Sequence, residues 1–194
     1  MLNKIKLYAN FGSTAKQITF TAIFAALSVI GSIVITVPLP IGFFNTGDIF
    51  VLLSGWFMGA FYGFVAAGVG SALADVLAGF PIYAPATFII KGTMALAGYF
   101  VAKLIKKAAK KAPDFVSRGV SAVLAEIIMI LGYFIYEAIL YGAPVAALAL
   151  VGNSMQGLFG VVGATVLCAL LTRSAAVKRF FPALADAQKT SKSQ

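Results

Sequence analysis

Residues 41–92 of the chain read IGFFNTGDIFVLLSGWFMGAFYGFVAAGVGSALADVLAGFPIYAPATFIIKG. The apolar part of this stretch, residues 48–77, can fold in two ways. As one long helix it gives the chain five membrane spans, and as a hairpin of two short helices it gives six. The choice decides on which side of the membrane every later segment lies.

The basic residues distinguish the two topologies. Fourteen of the fifteen Lys and Arg residues fall into an N-terminal, a central and a C-terminal group: Lys4, Lys6 and Lys16; Lys103, Lys106, Lys107, Lys110, Lys111 and Arg118; Arg173, Lys178, Arg179, Lys189 and Lys192. Lys and Arg near spans concentrate on the cytoplasmic side. Five spans would separate the central group from the N-terminus, whereas six place all three groups together. We therefore predict the hairpin, six spans and two cytoplasmic termini.

The predicted hairpin has short arms. Each arm has about fifteen residues, or ~22 Å of helix, against an apolar membrane core of ~30 Å. Short arms are tolerated where the interior of the protein hides their ends. The outer segments 38–47, 79–85 and 141–146 then contain no Lys or Arg.

Composition points to lipid as the solvent. The chain is 61% hydrophobic and 11% charged, with a mean hydropathy of +0.97. The net charge of +9 comes from residues that flank spans, so we predict no nucleic-acid partner. With one cysteine, Cys168, and no histidine, an internal disulfide and a cysteine metal cluster are excluded, and we expect no metal site and no enzyme activity.

The fold predicted is an all-α integral membrane protein, a six-helix transmembrane bundle with an outward-facing ligand pocket. Besides the hairpin, the spans are expected at 16–37, 86–102, 120–140 and 145–171. Thr14 and Gln17 suit a capping box at the start of the first span. Residues 1–181 are expected to form a single membrane domain without a cleaved signal peptide, and 182–194 a disordered cytoplasmic tail. The linker 103–118 either lies along the membrane surface or forms a solvated basic loop.

Lys91 is the basic residue outside the three groups, and it falls inside a span, where a charge is costly and usually functional. Several polar residues from different helices share its depth near the outer face. The candidate substrate-binding residues are Asn45, Asp48, Asp75, Tyr83, Lys91, Tyr133, Glu137, Asn153 and Gln156. Two structural alternatives stay open: Asp48 caps the second span, or Lys91 serves to neutralise a neighbouring Asp.

Helical periodicity places Glu126, Tyr133 and Glu137 on one stripe of the fifth span, which must face the bundle interior because lipid would penalise it. The role of Glu126 within this stripe is left open. The acids near Lys91 outnumber it, so an anionic ligand is disfavoured. A neutral or cationic heteroaromatic molecule fits better, because nearby Tyr side chains can stack on its ring.

Small residues recur at one-turn spacing in Ala22-x-x-x-Ala26 and in Gly55-x-x-x-Gly59-x-x-x-Gly63. We interpret each set as one helix face that permits close backbone approach. Such a face serves either packing within the chain or docking of another membrane protein.

The segment at 41–92 resembles the substrate-binding S component of energy-coupling factor (ECF) vitamin transporters. Its Gly-Asp pair at 47–48 and its APATFIIKG at 84–92 are similar to the riboflavin-like and B6-like branch of that family. The six spans and the basic inner linker are similar too, so the resemblance covers residues 10–180.

The resemblance implies a vitamin pocket capped by the loop between the first two helices. It also implies docking, through Ala22 and Ala26, on a transmembrane coupling (T) subunit with two ATPase (A) subunits in a prokaryotic plasma membrane. The chain has no G-x-x-x-x-G-K-[ST] motif, so its partners would use the ATP and the chain would bind no catalytic cofactor.

The identity of the vitamin stays open among pyridoxine-type B6 vitamers, hydroxymethylpyrimidine and riboflavin, with the first two preferred. A competing hypothesis is a self-sufficient secondary transporter with a proton path through Asp75, Glu126 and Glu137. A membrane-embedded enzyme is disfavoured, because the chain offers no pair of nucleophile and base.

Overall fold

The computed structural model describes residues 13–38 and 43–181. The predicted tail 182–194 lies outside this part of the chain. The helices are α1 (Thr14–Ile33), α2 (Gly47–Leu77), α3 (Ala84–Ala108), α4 (Asp114–Tyr141), α5 (Ala143–Leu171) and α6 (Ala175–Phe180); the strands are β1 (Thr36–Pro38) and β2 (Phe43–Asn45). Within the described part, α1 to α5 are long and apolar enough to cross a membrane. The predicted bundle of membrane helices is confirmed.

Helix α2 is broken at Gly59, whose backbone has φ 79° and ψ −171°. This conformation is essentially restricted to glycine, because a Cβ atom would clash with the backbone. Beyond the break, the Ser54 hydroxyl donates a hydrogen bond of 3.1 Å to the carbonyl of Gly63. Nine residues of continuous helix would separate these groups by about 13 Å. The chain therefore reverses at Gly59, and the predicted hairpin is confirmed.

Contacts of α1 give the same result independently. A Cβ atom on Gly47 would lie 2.1 Å from the Ser32 hydroxyl, and one on Gly70 would lie 2.5 Å from the carbonyl of Ala25. The two α1 residues are about 10 Å apart along their helix, whereas Gly47 and Gly70 would be about 35 Å apart on a straight one. Both arms of α2 therefore pack on α1.

The glycines of α2 do not form the single helix face predicted for Gly55, Gly59 and Gly63. A Cβ atom on Gly63 would lie 2.8 Å from the Cα atom of Gly55, so these two face each other across the break. Gly55 also approaches α3, where its Cβ position is 2.3 Å from the carbonyl of Ala95. The prediction of one face was wrong, because the middle glycine is the turn itself.

The first outer segment also differs from prediction. Helix α1 ends at Ile33 rather than at 37, and β1 pairs antiparallel with β2 in the register Thr36↔Asn45. This small hairpin departs from the predicted all-α fold. The predicted capping box was wrong as well, because the N-cap residue of α1 is Ser13 and makes no side-chain capping hydrogen bond.

The remaining spans are longer than predicted, and the linker 103–118 is mostly helical. Helix α3 continues to Ala108 and α4 begins at Asp114. Lys106 joins the two helices, because its Nζ atom lies 2.5 Å from an Asp114 oxygen and 2.8 Å from the carbonyl of Ala112. The prediction of a loop was therefore wrong for most of this linker, whereas its position along the membrane surface stays a prediction.

At the end of the bundle that holds this linker, aromatic side chains pack together. Phe181, which follows α6, makes edge-on contacts with Phe20 at 4.9 Å and Phe57 at 5.0 Å between ring centroids. Trp56 donates hydrogen bonds to the carbonyl of Gly98 and to the Ser121 hydroxyl. These aromatic contacts pack the helices together at the end of the bundle that holds the linker. The polar residues described next lie toward the opposite end, where α2 begins.

Candidate ligand-binding site

A buried ion pair joins α2 to α3. The Lys91 ammonium contacts Asp48 Oδ1 directly, and the two residues are 4% and 1% exposed. Gln156 of α5 donates from Nε2 to Asp48 Oδ2 at 2.6 Å, so both carboxylate oxygens of Asp48 are satisfied. The N-cap residue of α2 is Thr46, so the interpretation of Asp48 as a cap was wrong. The second alternative, in which Lys91 neutralises an Asp, describes this contact correctly.

The small β-hairpin is attached to the same network. The backbone N–H of Asn45, in β2, donates to Gln156 Oε1 at 3.1 Å. The Asn45 side chain in turn accepts a 2.8 Å hydrogen bond from the backbone N–H of Gly47. One amide side chain, that of Gln156, therefore connects the first outer segment to the ion pair.

Asp75, near the end of α2, belongs to a second group. Its carboxyl group lies beside Thr87 of α3, whose hydroxyl is 2.9 Å from the Tyr133 hydroxyl of α4. The Lys91 ammonium lies 5.4 Å from the centroid of the Tyr133 ring, within the range of a cation–π contact. Lys91 and Tyr133 thus connect the two groups.

Thr87 was missed by sequence reasoning although it is 2% exposed. A signal existed, because Thr87 lies four residues before Lys91 and so on the same face of α3.

A third group of polar side chains consists of Tyr83, Tyr136 and Glu137. The Tyr83 hydroxyl lies 3.5 Å from Glu137 Oε1. The Tyr83 ring packs edge-on against the Tyr136 ring, with 5.6 Å between the ring centroids. The Tyr136 hydroxyl donates to the carbonyl of Ile82. Burial, and then its neighbours Tyr141 and Glu137, raise the pKa of the Tyr83 phenol, so this group is a neutral donor at physiological pH.

The predicted stripe on α4 is confirmed: Glu126 and Glu137 are buried and Tyr133 is partly buried. Glu126 stands out among them. It is 3% exposed, and neither of its carboxyl oxygens has a hydrogen-bond partner within the described residues. A Cβ atom on Gly160 would lie 2.2 Å from Glu126 Oε1 and 3.1 Å from the Asp48 Cβ atom. Glu126 therefore lies beside the ion pair, although it was not among the predicted binding residues.

Other buried polar atoms also lack partners. Within residues 13–38 and 43–181 these include Asp75 Oδ2, Glu137 Oε2 and Asn153 Nδ2. Asn153 is only partly buried, and its Nδ2 atom is not tied to the network that holds Gln156. Buried polar groups are normally hydrogen-bonded, so an incomplete set on three helices is typical of a site that a polar ligand completes.

The predicted docking residues lie elsewhere. Ala22 and Ala26 are exposed on α1, whereas Ala25 between them packs on Gly70. Packing among the residues that the structure describes therefore does not explain the Ala22–Ala26 face. As for metal binding, no three His, Cys, Asp or Glu side chains among the described residues lie close enough to hold an ion.

Comparisons with known proteins add the family context. The family model described as "ECF-type riboflavin transporter, S component" matches residues 12–173. A protein of Pyrococcus woesei, described only as an uncharacterized protein in the gap 3′ region, is 33% identical over 134 residues. That alignment covers 68% of this chain and 84% of the relative.

Proposed function

The chain belongs to the family of S components of ECF-type riboflavin transporters, and on this premise we propose that it captures a small heteroaromatic vitamin for ATP-driven uptake. The membrane helices and the family support a substrate-binding subunit. The proposed ligand, its binding residues and the partner subunits are the finer parts of this hypothesis.

The observation that carries the proposal is a set of buried polar atoms that lack partners on three helices. Asp75, Glu137 and Asn153 come from three helices, and each keeps a buried polar atom without a partner in the described part. A hydroxylated or aminated ring would offer the missing donors and acceptors, and Tyr133 and Tyr83 would flank its faces. Water molecules could also satisfy these atoms, but they gain nothing from neighbouring aromatic side chains, whereas a heteroaromatic ligand can stack on them.

The charge of the cluster narrows the ligand class. Lys91 is the basic side chain here, and Asp48 already occupies it. A ligand carboxylate or phosphate would therefore meet Asp75, Glu126 and Glu137, with no free cation opposite them among the described side chains. For this reason we propose a pyridoxine-type B6 vitamer or hydroxymethylpyrimidine.

Riboflavin is the second candidate, because the family to which the chain belongs is named after it. It is also uncharged and heteroaromatic, so the charge argument admits it. Its tricyclic ring is larger than the single ring of the preferred candidates, and the size of the bound ligand distinguishes the two hypotheses.

We propose the following arrangement in the membrane. The reversal at Gly59 would turn the five membrane helices into six passes, which would place the three basic groups on the cytoplasmic side. The polar cluster would then open to the outside. A coupling subunit and two ATPases would supply the energy, and Ala22 and Ala26 would contact the coupling subunit.

Native mass spectrometry of the purified protein tests the ligand, because a tightly bound vitamin is retained and weighed. A mass addition equal to pyridoxine or hydroxymethylpyrimidine is expected, and an addition equal to riboflavin would select the second candidate. Titration with all three compounds in detergent, without any ion gradient, is the companion measurement. Uptake that depends on a proton gradient and needs no ATPase would contradict the proposal and favour a self-sufficient transporter.

A further inference from the structure

Glu126 is a buried carboxyl group that lies beside the Lys91–Asp48 ion pair without taking part in it. We propose that it is a specificity-determining residue that accepts a hydrogen bond from an amino group on the ligand. This inference rests on the function proposed above and names the ligand chemistry that the site prefers.

The first step is the position of the carboxyl group. Glu126 lies against two glycines of α5, with the Cβ position of Gly157 at 3.2 Å from its Cβ atom and that of Gly160 at 2.2 Å from Oε1. Any side chain at position 160 would displace the carboxyl group. The glycines therefore allow Glu126 to approach the α5 backbone, which holds its carboxyl group at the level of Asp48.

The second step is that the carboxyl group has no partner in place. Both oxygens are buried and unpaired within the described residues, whereas Asp48 beside it has both oxygens satisfied. Lys91 is close enough to interact electrostatically with Glu126 but makes its ion pair with Asp48. A buried carboxyl group without a partner is costly, and a protein retains such a group where a ligand completes it.

The third step is the balance of charge around this position. Among the described residues, Asp48 of α2 and Lys91 of α3 are the titratable groups that interact electrostatically with Glu126. Lys91 also interacts electrostatically with Asp75 of α2. The ammonium group of Lys91 is therefore the positive charge near three carboxyl groups, those of Asp48, Glu126 and Asp75. A ligand amino group would add the missing donor and, when protonated, the missing positive charge, which makes the hydrogen bond charge-assisted.

Two matched pairs of probes test this preference. Pyridoxamine and pyridoxine differ by an amino group in place of a hydroxyl, and so do 4-amino-5-hydroxymethyl-2-methylpyrimidine and its 4-hydroxy analogue. In the pair that the protein recognises, we expect the amino compound to bind about tenfold tighter or better, because its nitrogen offers more than one hydrogen to the carboxyl group and, in pyridoxamine, also a positive charge that the hydroxyl lacks. Equal affinities within each pair would overturn the inference.

Variants assign the preference to a residue. Glu126→Gln keeps the shape and removes the charge, so the amino compound should lose about tenfold while the hydroxyl compound changes less than about threefold. Glu137→Gln, another buried carboxyl group on the same helix, should weaken both members of a pair alike and keep their ratio. A ratio that is unchanged in Glu126→Gln would overturn the inference.

If Glu126→Gln does not fold, Glu126→Asp replaces it, because it keeps the charge and withdraws it by one methylene. Selective loss of the amino compound supports the inference, and equal loss of both compounds overturns it. Binding of riboflavin alone by the wild type would overturn the role of Glu126 but leave the vitamin-binding function intact. Binding of none of the probes by a folded wild type would contradict the proposed function itself.

Discussion

Lys91 and Lys106 each form an ion pair with an Asp, in very different surroundings. The Lys91 and Asp48 side chains are 5% and 1% exposed, whereas those of Lys106 and Asp114 are 23% and 25% exposed. A buried pair is expensive to break, because the remaining charge is stranded, whereas an exposed pair contributes little. The consequences of removing each lysine should therefore differ.

We expect Lys91→Met to destabilise the protein by about 3–5 kcal/mol, since it leaves Asp48 buried without its cation. Lys106→Met is the matched control and should cost less than about 1 kcal/mol. The measurement is thermal unfolding in detergent, beside ligand affinity. The double variant Lys91→Met/Asp48→Asn should recover part of the lost stability. A normally folded Lys91→Met protein that binds weakly would mean instead that Lys91 contacts the ligand.

Substitution of the residues that have unpaired buried atoms should affect ligand affinity rather than stability. Asp75→Asn, Glu137→Gln and Asn153→Ala remove groups that the ligand is expected to satisfy, so each should weaken binding by ~1–3 kcal/mol, or roughly 5- to 150-fold. The thermal stability of the ligand-free protein should change little, because these atoms have no partner to lose. Isothermal titration beside thermal unfolding separates the two effects. Wild-type affinity in all three variants would place the pocket elsewhere.

Among the elements, α2 depends on one backbone conformation. Gly59→Ala should destabilise the hairpin by about 1–3 kcal/mol or more, because a Cβ atom is strained at φ 79°. Gly119→Ala is the control: it lies within α4, and a Cβ atom there would meet nothing within 4 Å. It should be neutral or stabilising by up to about 1 kcal/mol, since alanine favours helix. Equal effects on thermal unfolding would mean that the break at Gly59 tolerates a side chain.

The elements also show what the sequence could predict. The hairpin in α2 and the inward stripe of α4 were predictable, because the distribution of Lys and Arg along the chain and the helical periodicity of polar residues can both be read from the sequence without knowing how the helices pack. The location of the turn at Gly59 was not, because three glycines at one-turn spacing equally fit a single helix face. The pairing of β1 with β2 was not predictable either, because each strand has three residues, too few to show an alternating pattern.

The site was predictable only in part for the same reason. Depth in the membrane grouped Lys91 with Asp48 and Gln156, but it could not say that Gln156 bonds to Asp48 across 108 positions of sequence. Nor could it place Glu126 against Gly160, because the fit depends on how α4 and α5 approach each other. Long-range packing thus decides which polar residues are paired and which stay open to a ligand.

For the whole molecule, the charge pattern predicts a membrane orientation. Single cysteines at Thr46 and Gly142 should react with an impermeant thiol reagent only from outside, and one at Lys107 only from the cytoplasmic side. Native Cys168 is 1% exposed and should give little background, which a cysteine-free Cys168→Ala protein would check. Labelling of position 107 from outside would reverse the orientation and close the proposed pocket to external vitamin.

The exposed face of α1 leads to the last prediction, on assembly. Ala22 and Ala26 lie one turn apart and are exposed, so a bulky residue there would not disturb the packing of residues 13–38 and 43–181. If the face docks on the coupling subunit, Ala22→Trp or Ala26→Trp should abolish ATP-dependent vitamin uptake, because close helix contact is lost. Ligand affinity of the isolated protein should stay within about threefold of wild type, a margin below 1 kcal/mol.

Two control positions make this test specific. Leu131→Trp replaces a side chain on α4 that is 53% exposed, away from the Ala22–Ala26 face of α1, and should leave both binding and uptake intact. Ala25→Trp should impair folding, because Ala25 packs on Gly70 of α2. The readouts are uptake into cells that express the whole transporter and co-purification of the ATPases. Normal uptake by both Ala22→Trp and Ala26→Trp proteins would exclude this face, and the coupling subunit would then have to bind another surface of the bundle.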